Sequence, residues 1–254
     1  PREHYNSGYV IVKQVSVYLD PRARIDLARR FVIGSLGNMQ QVLRYYAARG
    51  RQLSDALGAV ESAIQEIGRV NSVAALMGIE GSIRQEYYSA WDIILAKPEF
   101  RFQQRSRKPP ANRLNAMISF LNSLLYTTVL SEIYKTHLDP RIGFLHESNF
   151  RRFSLNLDVA EVFKPILVDR IIFTLLAKNI VKSRDFAAEH GGMYLKKDAL
   201  QRIVNVYEEK LRTSIMVRKL KRRVSYRRLI RLEIYKVQKH IMGDDSYDPY
   251  VSLW

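Results

Sequence analysis

Cysteine is absent from the 254 residues of the chain. Its absence excludes disulfide bonds, zinc sites built on thiolates and a cysteine nucleophile. The sequence also lacks an uninterrupted apolar run of about 18 residues, which a membrane-spanning helix would need, and it shows no signal peptide. We therefore expect a protein of a reducing compartment, the cytoplasm, that has no membrane partner.

Acidic residues are scarce relative to basic ones. There are 25 Asp and Glu against 41 Lys and Arg, which gives a formal net charge of +16. An excess of this size indicates a polyanionic partner, either nucleic acid or an anionic membrane surface. Hydrophobic residues make up 47% of the chain, which is enough for a sizeable core and argues against disorder.

The chain changes character near residue 20. Residues 4–15 alternate apolar and polar side chains and are rich in Val, Ile and Tyr, which predicts a strand. Because the chain begins with Pro1 rather than Met, and a lone strand leaves its edges unpaired, we expect residues 1–19 to be the tail strand and linker of a β-rich N-terminal domain. Residues 20–254 then form one large α-helical domain, so the predicted fold is mainly α.

Helical periodicity predicts seven long helices. The first begins at Pro21, after the N-cap Asp20, and stops at Gly50. The segment Pro98–Ala111 breaks the pattern and is expected to be a basic, mobile loop. Gly191–Leu195 is compatible with one short hairpin, and Pro165 should kink its helix. The remaining helices are predicted at residues 53–68, 72–97, 112–136, 155–179, 198–216 and 225–242.

Positive charge concentrates in the C-terminal third, where residues 202–239 contain 13 Lys or Arg against three Glu. One basic run is usually a solvated helix face. Two dense runs, RKLKRR at 218–223 and YRRLIR at 226–231, together with the basic loop, indicate phosphate binding through backbone contacts. The candidate DNA contacts are Arg228 and Arg231, then Arg222 and Arg223, and the loop arginines Arg105 and Arg107.

His146 differs from the other histidines because of its neighbours. It closes the run LDPRIGFLH and precedes SLNLDVAEVFKP, in which Asp158 and Glu161 share one face of a helix. A histidine followed by two carboxylates one turn apart resembles a divalent-metal site. The constellation is not rare, so a purely structural role for the three side chains stays open.

Glu80 lies between two glycines inside an apolar helical run, GIEG at 78–81. Glycine in a helix interior costs about 1 kcal/mol relative to alanine. Paired glycines around an acid therefore predict that something approaches this backbone closely. The alternative is a loose helix with an exposed glutamate.

Five segments together resemble one known family, the CRISPR-associated spacer integrases, or Cas-one family. Their order and spacing carry the resemblance, which extends from about Tyr5 to Trp254. The segments are GIEG (78–81), KPPANRLNAMISFLNSLLY (108–126), LDPRIGFLH (138–146), SLNLDVAEVFKPILVDR (154–170) and SYRRLIRLEIYK (225–236).

The resemblance implies a fold, a site and partners. The fold is a β-rich N-terminal domain joined to a large α-helical catalytic domain, of which this chain would hold the end of the first and all of the second. The site is a single Mn²⁺ or Mg²⁺ ion held by Glu80, His146 and Glu161, with Asp158 supporting a ligand or the metal's water. The partners are double-stranded DNA, a second copy of the chain and the small Cas-two companion protein.

Two positions depart from the family pattern. Asn122 stands where many relatives carry a tyrosine near the site, so no tyrosine role is transferred there. Glu161 stands where some relatives have an aspartate, a change that preserves oxygen ligation.

The implied chemistry is insertion of short foreign DNA into a CRISPR array by attack of a 3′-hydroxyl on a phosphodiester, or hydrolysis when water attacks. One imidazole nitrogen and two carboxylates suit Mn²⁺ or Mg²⁺ in such a reaction. Two alternatives remain. One is a non-enzymatic basic DNA-binding module, and the other is a covalent recombinase that uses Tyr226. Dependence on the metal distinguishes them, since the covalent enzyme survives EDTA and the binding module never cleaves.

Overall fold

The computed structural model describes residues 7–147, 153–217 and 220–253, and every structural statement below concerns these residues. Helices dominate, which confirms the predicted mainly α class. Between α7 and α8 the chain makes one π-helical segment, Pro165–Asp169. The helices are α1 (Gly8–Leu19), α2 (Pro21–Ala47), α3 (Ser54–Ile67), α4 (Val73–Ser89), α5 (Trp91–Leu95), α6 (Arg113–Ile133), α7 (Leu155–Phe163), α8 (Arg170–Ala177), α9 (Lys197–Arg212) and α10 (Tyr226–Met242).

The predicted strand at residues 4–15 is wrong where the structure describes it, and residues 4–6 lie outside the described residues. Gly8–Leu19 is a helix, α1, that packs on α2 and α10. Val10 and Gln14, four residues apart, are buried on its inner face, whereas Tyr9 and Val12 are exposed. Alternation over a short apolar run does not separate a strand from a helix. Tertiary packing decides here, and it overrides the β-propensity of valine.

Two small hairpins account for the strands of the described chain. Strands β1 (Phe186–Glu189) and β2 (Gly192–Leu195) pair antiparallel, which places a hairpin where one was predicted. Strands β3 (Ser214–Val217) and β4 (Arg222–Ser225) form a second hairpin that was not predicted. The predicted helix 198–216 is therefore wrong beyond Arg212. Ser214–Val217 is strand β3 instead, and it pairs residue by residue with Arg222–Ser225.

The helix α7 and the segment after it form the centre of the core. Nearly every residue of Leu155–Phe163 and of Pro165–Asp169 is buried, between α2 on one side and α6 on the other. Pro165 was expected to kink the helix, and the structure shows a widened, π-helical turn that begins at this residue. The backbone N–H of Asp169 donates to the carbonyl of Lys164, five residues back. This continuity keeps the acids of α7 in fixed register with α8.

Two other predictions need correction. The predicted helix 72–97 is divided at Ala90 into α4 and α5. The segment 98–111, predicted to be mobile, is held in place. Phe100 and Phe102 are buried in the core, and the backbone N–H of Phe102 donates to Asp92 Oδ1 at 2.7 Å. Two aromatic side chains of the loop are therefore part of the core.

Helix α6 is the one described helix that is long and apolar enough to cross a membrane by length and composition. Within the fold, 56% of that stretch is buried among the other helices. The central helix of a packed domain has the same composition, because it is apolar on most of its faces.

The C-terminal segment 244–253 lies across α2. The buried amide of Asn38 donates to the carbonyls of Val162 and Tyr250, both at 2.8 Å, and accepts from the backbone of Ser252 at 2.9 Å. Gly34 makes room for this segment. A Cβ atom at Gly34 would lie 2.6 Å from Cβ of Pro249. Tyr247 and Ser252 of this segment are buried, whereas Leu253 is exposed.

Gly34→Ala should destabilise the fold, whereas Gly58→Ala should stabilise it. Both glycines lie inside helices, where alanine is favoured by about 1 kcal/mol. At Gly34 the added methyl group displaces Pro249, which we expect to cost about 1–3 kcal/mol, whereas at Gly58 it meets nothing within 4 Å. Urea unfolding of both variants measures the difference. Equal stabilisation of the two variants would show that Pro249 does not pack closely against Gly34.

Candidate active site

The candidate site is built around the carboxylate of Asp158, in the first turn of α7. This fully buried side chain accepts hydrogen bonds from three consecutive backbone N–H groups. They belong to Phe144 at 2.6 Å, Leu145 at 3.1 Å and His146 at 2.9 Å. Burying a carboxylate is tolerated only where its oxygens are satisfied in this way. Asp158 therefore fixes the loop that carries His146 against α7.

Further contacts hold the same loop from outside. The backbone N–H of Gly143 donates to Ser154 Oγ at 2.8 Å, and a Cβ at this glycine would meet the backbone of Ser154 at 2.8 Å. From α1, the buried amide of Gln14 donates to two loop carbonyls, both at 2.9 Å. From α2, Arg24 Nε donates to the carbonyl of Phe144 at 3.0 Å. The loop is thus tied to three helices.

The ring of His146 is oriented by Asp158 and faces Glu161. Its Nδ1 lies 2.8 Å from Asp158 Oδ1, and its Nε2 lies 4.0 Å from Glu161 Oε1. Burial by itself would lower the pKa of His146. The hydrogen bond and charge of Asp158, with the charge of Glu161, outweigh burial and raise that pKa above its usual value. Carboxylate–histidine pairs of this kind orient imidazoles that bind metal ions.

Arg84 joins the two other predicted ligands. It lies on α4 one turn after Glu80, and its Nε is 2.5 Å from Glu80 Oε1. Its Nη2 is 2.6 Å from Glu161 Oε2 and donates to Ser35 Oγ at 3.1 Å. Burial would lower the pKa of Arg84, but the two carboxylates outweigh it and raise that pKa well above its usual value. Two acids that are far apart in the sequence therefore meet at one guanidinium.

Lys164, the C-cap residue of α7, supplies a second cation three residues after Glu161. Its ammonium forms an ion pair with Glu161 Oε1 and lies 5.2 Å from the ring centre of Tyr126. Burial alone would raise the pKa of Glu161, but the charges of Lys164 and Arg84 outweigh it and lower that pKa to about 2. Glu161 is therefore ionised throughout the neutral pH range.

The three predicted ligands fit a divalent cation in their chemistry. One imidazole nitrogen and two carboxylates are donors that Mn²⁺ and Mg²⁺ accept, and both carboxylates already surround a positive charge, that of Arg84. In the described ranges 7–147, 153–217 and 220–253, no three His, Asp or Glu side chains stand at metal-ligand distances. The carboxylates are turned to Arg84 and Lys164 instead. A bound metal ion would therefore compete with the guanidinium of Arg84 for the carboxylate oxygens of Glu80 and Glu161.

Sequence reasoning missed three charged residues of the site: Arg84, Lys164 and Asp169. A signal existed for the first two, which follow Glu80 and Glu161 by four and three residues on a helix. Asp169 has no such signal. Burial raises its pKa from 3.8 to about 7, and the opposing effects of Arg84, Tyr87 and Lys164 only partly offset it. This acid is fully buried and interacts electrostatically with Arg84.

The two glycines that flank Glu80 border open space. A Cβ atom at Gly78 or at Gly81 would meet no described atom within 4 Å. The expectation that something approaches this backbone closely therefore finds no partner within the described chain. The open side of α4 leaves room for a ligand beside Glu80, whose side chain is 17% exposed.

The six arginines predicted to contact DNA divide into two groups. Arg231 and Arg105 are bonded inside the protein: Arg231 Nε lies 2.6 Å from the buried Glu132, and Arg105 donates to Asn115 and Ser119 at 3.0 Å. The other four are exposed at the surface. They are Arg107, Arg222, Arg223 and Arg228.

Asp169→Asn should remove a pH dependence of stability. Between about pH 4 and pH 7 the folded protein keeps a proton on Asp169 that the unfolded chain has lost, so the wild-type stability should fall as the pH rises. At about 1.4 kcal/mol for each pKa unit, the asparagine variant should be more stable by a few kcal/mol at pH 8 and unchanged at pH 4. Urea unfolding across this range measures it, with the exposed Asp245→Asn as control. A constant difference between variant and wild type would contradict the prediction.

Comparison with known proteins identifies the family. A family model described as CRISPR associated protein Cas1 matches residues 1–209. A CRISPR-associated endonuclease Cas1 of Thermodesulfovibrio yellowstonii is 51% identical over 100% of this chain and 77% of its own length. The corresponding protein of Fusobacterium nucleatum subsp. nucleatum is 43% identical over 100% of this chain and 75% of its own length.

Solved structures agree with these relatives. A CAS1 protein from Thermotoga maritima superposes with a TM-score of 0.85 at 42% identity, covering 97% of this chain and 75% of that one. A casposase bound to integration product has a TM-score of 0.81 at 21% identity, over 96% of this chain and 73% of that one, and shares the fold. From the family model and from relatives this similar over its whole length, the chain belongs to the CRISPR-associated protein Cas1 family.

Proposed function

We propose that this member of a family of CRISPR-associated endonucleases is a divalent-metal-dependent DNA endonuclease and integrase, which inserts short foreign DNA into a CRISPR array. One observation carries the proposal. Glu80 and Glu161 gather around a single cation, beside a histidine whose ring is oriented by a buried acid. This is the donor set and the supporting contact of a metal centre for phosphodiester chemistry.

Glu80, His146 and Glu161 would hold the ion, Mn²⁺ or Mg²⁺. Asp158 would accept the Nδ1 proton of His146, which leaves the lone pair of Nε2, 4.0 Å from Glu161 Oε1, for the ion. When bound, the ion polarises the scissile phosphodiester and lowers the pKa of the attacking water or 3′-hydroxyl. The attacking oxygen forms a bond to phosphorus while the opposite P–O bond breaks. No protein side chain becomes covalently attached.

Arg84 and Lys164 balance the charge of the site. Each forms an ion pair with Glu161, and Arg84 also pairs with Glu80. A divalent ion brings the charge that these cations otherwise supply, so the guanidinium must give up at least one carboxylate when it binds. The released cation is then free to contact the phosphate that reacts.

DNA is proposed to enter along the open side of α4, where Gly78 and Gly81 leave space. The exposed arginines Arg107, Arg222, Arg223 and Arg228 are the proposed phosphate contacts. For Arg105 and Arg231 the internal hydrogen bonds support a structural role instead. Phosphate contacts of this kind bind DNA without selecting a sequence.

The partners proposed for the chain are double-stranded DNA, a second copy of itself and the small Cas2 protein, in the cytoplasm and with no membrane. Neighbours of the same fold are described as a casposase bound to integration product and as a Cas6-RT-Cas1–Cas2 complex. These neighbours are 21% and 18% identical to the chain and establish the fold only. Integration and the partnership with Cas2 are therefore proposals here.

A covalent recombinase is disfavoured by the environment of Tyr226. Only 6% of this residue is exposed, and burial raises the pKa of its hydroxyl to about 12. A nucleophilic tyrosine needs an accessible hydroxyl and a base. A non-enzymatic DNA-binding module is the second alternative. Such a module would not cleave DNA whether or not a metal ion is added, which the following experiments test.

His146→Ala should abolish DNA cleavage and strand transfer, by about a hundredfold or more, while largely sparing DNA binding. Affinity comes from phosphate contacts elsewhere, whereas the histidine acts at the reacting centre. A cleavage assay with Mn²⁺, repeated with EDTA, is paired with a gel shift. The exposed His190→Asn is the control. Equal loss of binding and cleavage would make His146 structural, and cleavage that persists in EDTA would contradict the metal-dependent mechanism.

Arg84→Met should strengthen the response of the protein to Mn²⁺. Without the ion, the variant should be less stable, at a cost of about 3–5 kcal/mol for breaking a buried ion pair, because Glu80 loses the cation of Arg84 and Glu161 keeps Lys164 alone. Mn²⁺ then meets no competing guanidinium and should raise the melting temperature more than in the wild type.

Thermal unfolding with and without Mn²⁺ measures both effects, with the exposed Arg69→Met as a matched control. The control should show the wild-type shift. The same Mn²⁺-induced shift in Arg84→Met and in the wild type would show that Arg84 does not compete with the ion.

A further inference from the structure

Two neighbouring cavities lie away from the metal-ligand candidates, between α8, α9, β3 and the C-terminal segment. Their volumes are about 270 Å³ and about 310 Å³. Arg170 and Lys210 line both of them, so the two cavities flank one pair of cations. None of Glu80, His146, Asp158 and Glu161 lines either cavity.

The walls of these cavities are strongly basic. Besides the shared pair, Lys178 lines the first cavity and Arg223 lines the second. Glu209 is the one acid among the described lining residues. Arg223 is held in place by a hydrogen bond of 2.8 Å from its Nη2 to the carbonyl of Ser214. We call these four residues, Arg170, Lys178, Lys210 and Arg223, the basic groove.

Lys210 is the central residue of the basic groove. Its ammonium lies 4.6 Å from the ring centre of Tyr226. It makes no ion pair with a carboxylate in the described part of the chain. Burial lowers its pKa, and the charge of Arg170 lowers it further. An anion that approached the half-buried ammonium of Lys210 would offset both effects.

We propose that the basic groove binds successive phosphates of a DNA strand, at a place separate from the metal site. The two cavities share a pair of cations, and one further cation lines each of them. A polynucleotide presents phosphates in series and matches this arrangement, whereas a single small anion would occupy one cavity. The strand would be held by charge and would not be read by sequence.

Arg170 also explains how the groove keeps its shape. Its guanidinium lies 4.0 Å from the ring centre of Tyr45, at the end of α2. In the sequence, Arg170 directly follows Asp169, a buried acid of the candidate active site. A strand bound here would therefore rest on the helix that continues directly from the metal-ligand acids of α7, and its position would be fixed relative to them.

The test uses the whole 254-residue chain in EDTA, so that no result depends on the metal. Binding of a labelled single-stranded oligonucleotide is measured by fluorescence anisotropy at several salt concentrations. Lys210→Met keeps the aliphatic stem and removes the charge. It should lower the slope of log K against log salt by about 0.7, and weaken binding about fivefold at 0.1 M salt, for one lost phosphate contact.

Two further variants separate charge from structure. Lys210→Arg should restore the slope, and Lys197→Met, at the exposed start of the same helix, should leave it within error of the wild type. An unchanged slope in Lys210→Met overturns the proposal. So does an equal loss in Lys197→Met, because the effect would then follow from net charge alone.

A second measurement locates the strand. A photo-crosslinking amino acid in place of Met216, which is exposed and lines the second cavity, should crosslink to the oligonucleotide. The same amino acid in place of Leu19, exposed on α1, should not. Absence of the crosslink at position 216 overturns the proposal. Saturable binding of inorganic phosphate that needs Lys210, with no effect on oligonucleotide binding, would assign the groove to a small anion and overturn it as well.

Discussion

The carboxylate of Asp158 is the contact on which the candidate site depends. This carboxylate is fully buried, and it accepts hydrogen bonds from three consecutive backbone N–H groups and from the ring of His146. In a low-dielectric interior such a carboxylate is tolerated only if every partner stays in place. The loop 138–147 therefore cannot move independently of α7. The orientation of the histidine is a consequence of core packing rather than of the loop's own sequence.

Charge balance decides what the site can accept. Two cations, Arg84 and Lys164, pair with the acids that would bind a metal ion. These ion pairs keep the folded protein stable while the carboxylates of Glu80 and Glu161 lie close together. Without the cations, the like charges of the two carboxylates would repel each other. The cost is competition, because an entering ion must displace a guanidinium that makes short, charge-assisted hydrogen bonds. Stability of the free protein and affinity for the ion are opposed in this arrangement.

The large positive charge of the chain divides into parts with different roles. Some cations neutralise buried acids: Arg231 is bonded to Glu132, and Lys236 to Glu233. Others, such as Arg228, are exposed to solvent. A third set, with Lys210 at its centre, lines cavities. Net charge identifies the class of partner, because long-range attraction depends on the sum. It does not identify the contacts, because those depend on which cations are already paired.

Local sequence determined most of the helices and the identity of the candidate site residues. Proline and capping signals placed α2, and the family resemblance carried by the motifs around Glu80, His146 and Glu161 implied that these two acids and the histidine are candidate ligands. Tertiary structure alone decided that residues 8–19 are helical, because burial of Gln14 against the loop 138–142 outweighs the β-propensity of valine. Tertiary structure also decided that Arg84 forms ion pairs with both Glu80 and Glu161. It decided as well that Arg231 forms an ion pair with the buried Glu132 instead of facing solvent. Periodicity shows which face of a helix is buried, but only the packing of whole helices determines which distant charge each side chain meets.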